Sequence, residues 1–298
     1  MKIEPESPDG GLLTRQEFLL SLGMATLPLA AQPTPPGTGE PRILLVVAHP
    51  DDEYTFAATA YRIAKELHGT VDQVVITNGE SGYRYSQLAE GFYQASLTEE
   101  HAGRSRLPEI RRKETLAAGR ILGIRQHYFL EQPDTGFTLS ASDSLRAWDT
   151  RLVLNSLNAI LSRERYDFVF TMLPSEDTHG HHKAATLLAV QAVEALPAGH
   201  RPVVLAGDPA RYADPIPHDR GPVFRFDRNT KFGFHDALTY QIVVNWMIAE
   251  HKSQGLFQTD CNRHDEERYW VLSSNDAVAE DRTRTLFDAL AARGRGHS

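Results

Sequence analysis

The sequence predicts an α/β protein: a mostly parallel sheet with helices on both faces, in three α/β/α layers. Two observations predict it. From Arg42 onward, strand-like apolar runs alternate with segments of helical spacing, the pattern of βαβ units. The run "ILLVVA" is apolar throughout and "YDFVFTML" nearly so, as expected of strands buried on both faces.

The elements follow in order. "ILLVVA" is the first strand, "TFAATAYRIAKEL" a helix, and "VDQVVITNG" a strand that stops at Asn78-Gly79. A long polar loop with a helical piece runs to about Arg106. "LPEIRRKETLAAGRILGI" reads as a helix with Pro108 near its start and Gly123 near its end. "QHYFLE" is a short strand, and a long helix spans about Leu145 to Arg163. "YDFVFTML", "RPVVLAG" and "GPVFRFDRN" are further strands. "THGHHKAATLLAVQAVEAL" is an amphipathic helix, and "HDALTYQIVVNWMIAEHKSQGL" is a helix that breaks near Gly255. The last forty or so residues cover a sheet edge or form a terminal helix. One domain over residues 41–298 is expected.

Composition narrows the function. The chain has 298 residues, a net charge of -8 and 41% hydrophobic residues. That suits a folded domain and argues against a nucleic-acid partner, since no basic stripe is present. The single cysteine, Cys261, allows neither an internal disulfide nor a cysteine-based metal site. Residues 1–40 read as an export signal followed by a Pro/Gly-rich tether. The apolar run Phe18 to Ala31 falls short of the about 20 residues that span a bilayer, and "TRQEFL" is a weakened twin-arginine signal with Gln16 in place of the second arginine. The expectation is export to the periplasm or beyond, with no stable membrane insertion of the mature protein; a cytoplasmic location follows if the run is no signal. The oligomeric state is left open.

Two stretches carry the chemistry. "HPDDE", His49 to Glu53, follows the first strand, and "HGHH", His179 to His182, follows "YDFVFTML". In open parallel sheets ligands bind at the carboxyl ends of strands, so the two stretches converge if their strands are neighbours. His49 and Asp52 are three residues apart, as are His179 and His182. One histidine from each pair with one carboxylate makes a set of N/O ligands that suits zinc and leaves a fourth position for water. Asp51, beside Asp52, is then placed to take a proton, and His179, beside His182, to polarise a carbonyl or protonate a leaving amine. Taken singly, the acids also suit a capped first turn of helix and the histidines a solvated one. Together they point to metal-assisted hydrolysis of an amide. A dinucleotide site is disfavoured, because the first strand-helix turn lacks Gly-x-Gly-x-x-Gly.

"AHPDDE" after a first apolar strand resembles the LmbE/PIG-L family of zinc-dependent de-N-acetylases. "TNGESG", "EIRRKETLAAGRILGI", the histidine-rich turn and "HKSQ" are similar to it as well. The resemblance implies a Rossmann-like sheet and removal of an acetyl group from an N-acetylglucosamine-type small molecule. It implies His49, Asp52 and His182 as ligands of Zn2+ (or another divalent ion), Asp51 as general base and His179 as the electrostatic or acid partner. It implies substrate contacts from Arg111 and, through a sugar hydroxyl, Asp134. For Arg111 the alternative is a surface ion pair with Glu114; for Asp134 it is an ordinary turn ahead of Gly136. The motif departs from the family's usual His-Pro-Asp-His: Gly180 and His181 stand inside, leaving Asp177 or Glu176 to orient His179, and His181 is expected exposed or behind the ligands. His251 of "HKSQ" reads as a packed helix-end histidine, outside the catalytic set. Tyr83, Tyr85, Phe92 and Tyr93 stack on a sugar or pack as a lid. The runner-up functions are an amidase for a larger conjugate and a non-catalytic carbohydrate-binding protein.

Overall fold

The computed structural model describes residues 40–208, 221–255, 265–272 and 277–292. The export signal and tether expected before Glu40, and Cys261, lie outside the described residues.

Strands β1 (Arg42–Val47), β2 (Thr70–Thr77), β3 (Gln126–Gln132), β4 (Phe168–Met172) and β5 (Val203–Gly207) pair in parallel in the order β3-β2-β1-β4-β5. β6 (Val223–Asp227), a small β7–β8 hairpin (Lys231–Phe232 and Leu238–Thr239) and β9 (Glu266–Val271) follow. β9 pairs antiparallel with β5, and β6 with β9, so seven described strands form one sheet. The mostly parallel α/β architecture is as expected.

Alternation along β1 shows why the sheet is covered twice. Ile43, Leu45 and Val47 face one core with Phe56 and the helix Tyr240–Glu250 (residues Val243, Val244 and Met247). Leu44, Val46 and Ala48 face the other, with Leu157 and Ile160 of the helix Thr150–Arg163 and Ala184 and Leu188 of the helix Gly180–Glu194. Among the described residues no helix is long and apolar enough to cross a membrane.

In chain order the helices are α1 (Ala57–Tyr61, entered through the tight turn Asp52–Phe56), α2 (Gln87–Tyr93), α3 (Glu100–Leu122), α4 (Ala141–Ala147), α5 (Thr150–Arg163), α6 (Gly180–Glu194), α7 (Tyr240–Glu250) and α8 (Ala279–Ala291). Two helical segments and the strand β9 depart from the sequence expectation. α3 starts eight residues before Pro108, capped by the Glu99 side chain, which accepts from the His101 and Ala102 N–H groups. An interior proline costs one backbone hydrogen bond; burial of Gly103, Leu107, Arg111 and Glu114 along one face carries the helix through it. The helix expected from Leu145 to Arg163 divides at Trp148, whose Nε1 donates to Pro133 O, and Asp149 caps the new start through Leu152 N. β9 falls in the last forty residues, where "EERYWV" hides its pattern because a charged residue faces inward. Glu267 is buried there and accepts from Ala58 N, Thr59 N and Thr59 Oγ1 at the start of α1, and from Arg228 Nε.

Candidate metal centre and active site

β1 and β4 are neighbours, with Ile43 opposite Phe168, so the loops at their carboxyl ends meet. After β1 the chain turns at His49-Pro50-Asp51. Asp52 Oδ2 accepts from Ala48 N at 3.0 Å and His49 N at 2.7 Å, which fixes the carboxylate across the turn. After β4, Thr178 Oγ1 donates to Leu173 O at 2.8 Å, and His179 caps α6 by accepting from His181 N at its Nδ1. Gly180 lets the loop lie against Ser140: a Cβ there would stand 2.5 Å from the Ser140 carbonyl oxygen.

His49 Nδ1 lies 3.2 Å from His182 Nε2 and 3.5 Å from Asp52 Oδ2, and His182 Nε2 lies 3.1 Å from Asp52 Oδ1. Two imidazole nitrogens and a carboxylate crowded this closely form a donor set that fits a divalent ion of the zinc kind. Burial works against charge on Asp52, yet the adjoining His182 and His49 rings hold its carboxyl well below the usual range. Burial likewise opposes the charge on His49, and Asp52 beside it reverses the outcome and raises its pKa.

Asp51 sits next to this set with φ 125°, a backbone conformation that costs an L-residue free energy and persists only where neighbours impose it. Two neighbours do so. Its N–H donates to Glu53 Oε2 at 3.1 Å. Its Oδ2 accepts from Arg111 Nη2 at 2.8 Å, and the same guanidinium donates to Pro50 O and Gly79 O. Burial raises the Asp51 carboxyl even against the Arg111 charge.

The sequence places Arg111 either at the substrate or on the surface with Glu114; the structure buries it behind Asp51. Asp134 is also buried, its carboxylate accepting from Gly136 N and Ser81 N and lying 3.6 Å from His181 Nδ1. Glu176 and Asp177 are exposed; it is the His181 N–H, not an acid, that orients His179. His181 has no exposed surface, and its Nδ1 lies 2.9 Å from His49 Nε2. Burial, then the neighbouring imidazoles, push the His179 pKa down to about 2. Of the four loop aromatics, Tyr83 packs inward and Tyr93 donates to Glu114, while Tyr85 and Phe92 are exposed.

Sequence reasoning also missed the partner of His251. His251, at the end of α7, is fully buried and its Nε2 lies 2.8 Å from Glu53 Oε1. Burial opposes both charges, but each group acts on the other: Glu53 is lowered and His251 raised. The signal available was the final acid of "HPDDE", whose burial only the fold reveals.

The family model described as GlcNAc-PI de-N-acetylase, PIG-L, matches residues 44–193, half of the chain. No curated protein matches significantly. Among solved structures, a teicoplanin-pathway deacetylase in complex with teicoplanin superposes with TM-score 0.54 at 14% identity, covering 77% of this chain and 97% of that one. The A40926 pseudoaglycone deacetylase Dbv21 gives 0.51 at 17% identity, covering 80% of this chain and 100% of that one. GalB, the 4-carboxy-2-hydroxymuconate hydratase from Pseudomonas putida KT2440, gives 0.53 at 17% identity, covering 78% and 96%. At these identities the likeness is one of fold, and that fold serves both deacetylases and a hydratase. Matched over half its length by the family model, with the motif-bearing loops meeting at one point, the chain belongs to the PIG-L family of de-N-acetylases.

Proposed function

We propose that this chain is a metal-dependent hydrolase, zinc being the ion its donors suit, that removes the acetyl group from an N-acetylglucosamine-type or related small conjugate. The observation that supports it best is the meeting of His49, Asp52 and His182 with Asp51 fixed alongside. Those three residues would hold the ion, which when bound supplies Lewis acidity to the amide carbonyl and the attacking water.

The protein's own groups do the rest. Asp51 takes a proton from the water, and a carboxylate whose pKa is raised by burial is a better base than an exposed one. Arg111 and the Glu53 carboxylate hold it in place. His179 accepts at Nδ1, so its neutral ring carries a proton on Nε2 for the carbonyl oxygen as charge develops there. Water oxygen bonds to the acyl carbon, the C–N bond breaks, and the amine leaves with the proton relayed by Asp51. The second reading, an amidase for a larger conjugate, is favoured by Phe137, 77% exposed and edge-on to His179 at 5.1 Å.

Acetate release from a panel of N-acetylglucosamine compounds tests the proposal. It should be lost with chelator and restored by Zn2+. Retained zinc without acetate from the whole panel would favour the larger amide or a binding role. Export is part of the same proposal; an intact N-terminus on the protein recovered from the cytoplasm would contradict it.

A further inference from the structure

We infer that His181, the residue standing inside the "HGHH" turn where the family commonly has aspartate, orients the metal ligand His49 and thereby sets how tightly the ion is held. The inference rests on the metal-centre reading above and concerns a side chain which that reading does not use.

His49 presents its two nitrogens in different directions. Nδ1 faces Asp52 and His182, and Nε2 faces His181 Nδ1 at 2.9 Å. With the Nδ1 lone pair directed to a cation, the His49 proton resides on Nε2 and is donated to His181 Nδ1. His181 then carries its own proton on Nε2, 3.0 Å from Thr135 Oγ1, which accepts it. One tautomer of each ring satisfies every contact. The relay is held rigidly: His181 has no exposed surface, Trp148 packs on it with ring centroids 5.3 Å apart, and its backbone N–H is tied to His179.

Metal-bound histidines ordinarily give their second N–H to a carboxylate or carbonyl, which fixes the ring and raises its basicity. Here a neutral imidazole takes that place and Asp134 Oδ1 stands off at 3.6 Å from His181 Nδ1. Orientation is preserved, and less negative charge is passed to the ligand. A second possibility shares the same atoms: His49, His179 and His181 also lie close enough to hold a cation themselves. The 2.9 Å separation is that of a hydrogen bond, and the Thr135 contact already engages the far nitrogen of His181.

Titration of metal-free protein with Zn2+ against a chromogenic chelator, with thermal unfolding of the metal-free forms as the control, tests the inference. Wild type should bind a single ion. His181→Ala should bind it roughly 10- to 100-fold more weakly, with the metal-free unfolding temperature showing whether the chain still folds. His181→Asn, whose side-chain oxygen can accept from His49, should recover most of the loss, and His181→Asp should bind at least as tightly as wild type. His181→Ala and His181→Asn both binding like wild type would overturn the inference and leave the metal centre standing. Two ions in wild type and one in His181→Ala would make His181 a ligand instead. No ion in wild type would sink the metal centre and this inference together.

Discussion

Glu53 Oε1 and His251 Nε2 lie 2.8 Å apart, joined across 198 residues of sequence, and neither side chain has exposed surface. The pair ties the end of α7 to the turn that carries Asp51, because the other Glu53 oxygen receives the Asp51 N–H. Breaking such a pair leaves a buried charge alone, which costs about 3–5 kcal/mol. His251→Ala should lower stability by that order in denaturant unfolding. The double variant with Glu53→Gln should be less damaged than the single one; equal or additive losses would contradict the pairing.

Asp51→Asn removes the proposed base and leaves the proposed metal donors in place. It should lower kcat by about 10²- to 10⁴-fold while metal content stays at the wild-type level. Arg111→Lys keeps a charge but not the three-way grip on Asp51, Pro50 and Gly79. Its loss should appear in kcat with KM little changed. A rise in KM alone would return Arg111 to the substrate.

The sheet was largely legible in the sequence, since strands buried on both faces announce themselves as unbroken apolar runs. Arg42–Val47 is of this kind after its first residue, and Phe168–Met172 is interrupted only by the buried Thr171. β9 was not, because Glu267 points into the protein as an anion for the start of α1, an inward charge that period-2 patterning reads as solvent. The helix around Pro108 was misplaced because proline marks a first turn only when no tertiary burial carries the helix past it. At the site, spacing and the family resemblance singled out His49, Asp52 and His182, which the structure brings together, but not what surrounds them. Arg111, His181 and His251 each lie far in sequence from the groups they touch, and no local pattern records such contacts.

His127 supplies a pH test away from the metal donors. Burial pushes its imidazole from 6.5 down to about 4, and Nε2 has no hydrogen-bond partner among the described residues. Between those values the unfolded chain binds a proton that the folded one does not. Stability contributed by the neutral ring is therefore complete above 6.5 and is lost as pH falls toward 4, at up to about 1.4 kcal/mol per pH unit. His127→Gln should show a shallower acid loss of stability than wild type across that window; an identical slope would contradict the assignment.

Gly180→Ala would set a methyl 2.5 Å from the Ser140 carbonyl oxygen and 2.8 Å from its carbon, backbone atoms with little freedom to move. Such overpacking costs about 1–3 kcal/mol. Because His179 and His182 flank this residue, metal affinity should fall along with the unfolding temperature. A variant as stable and as tightly loaded as wild type would show that the loop has room.

The most direct measurement is metal content by elemental analysis after dialysis, on wild type, Asp51→Asn and His182→Ala prepared alike. One divalent ion per chain in wild type and Asp51→Asn, and none retained in His182→Ala, is the predicted result. Full loading of His182→Ala, or a metal-free wild type that still releases acetate, would contradict a centre built on His49, Asp52 and His182.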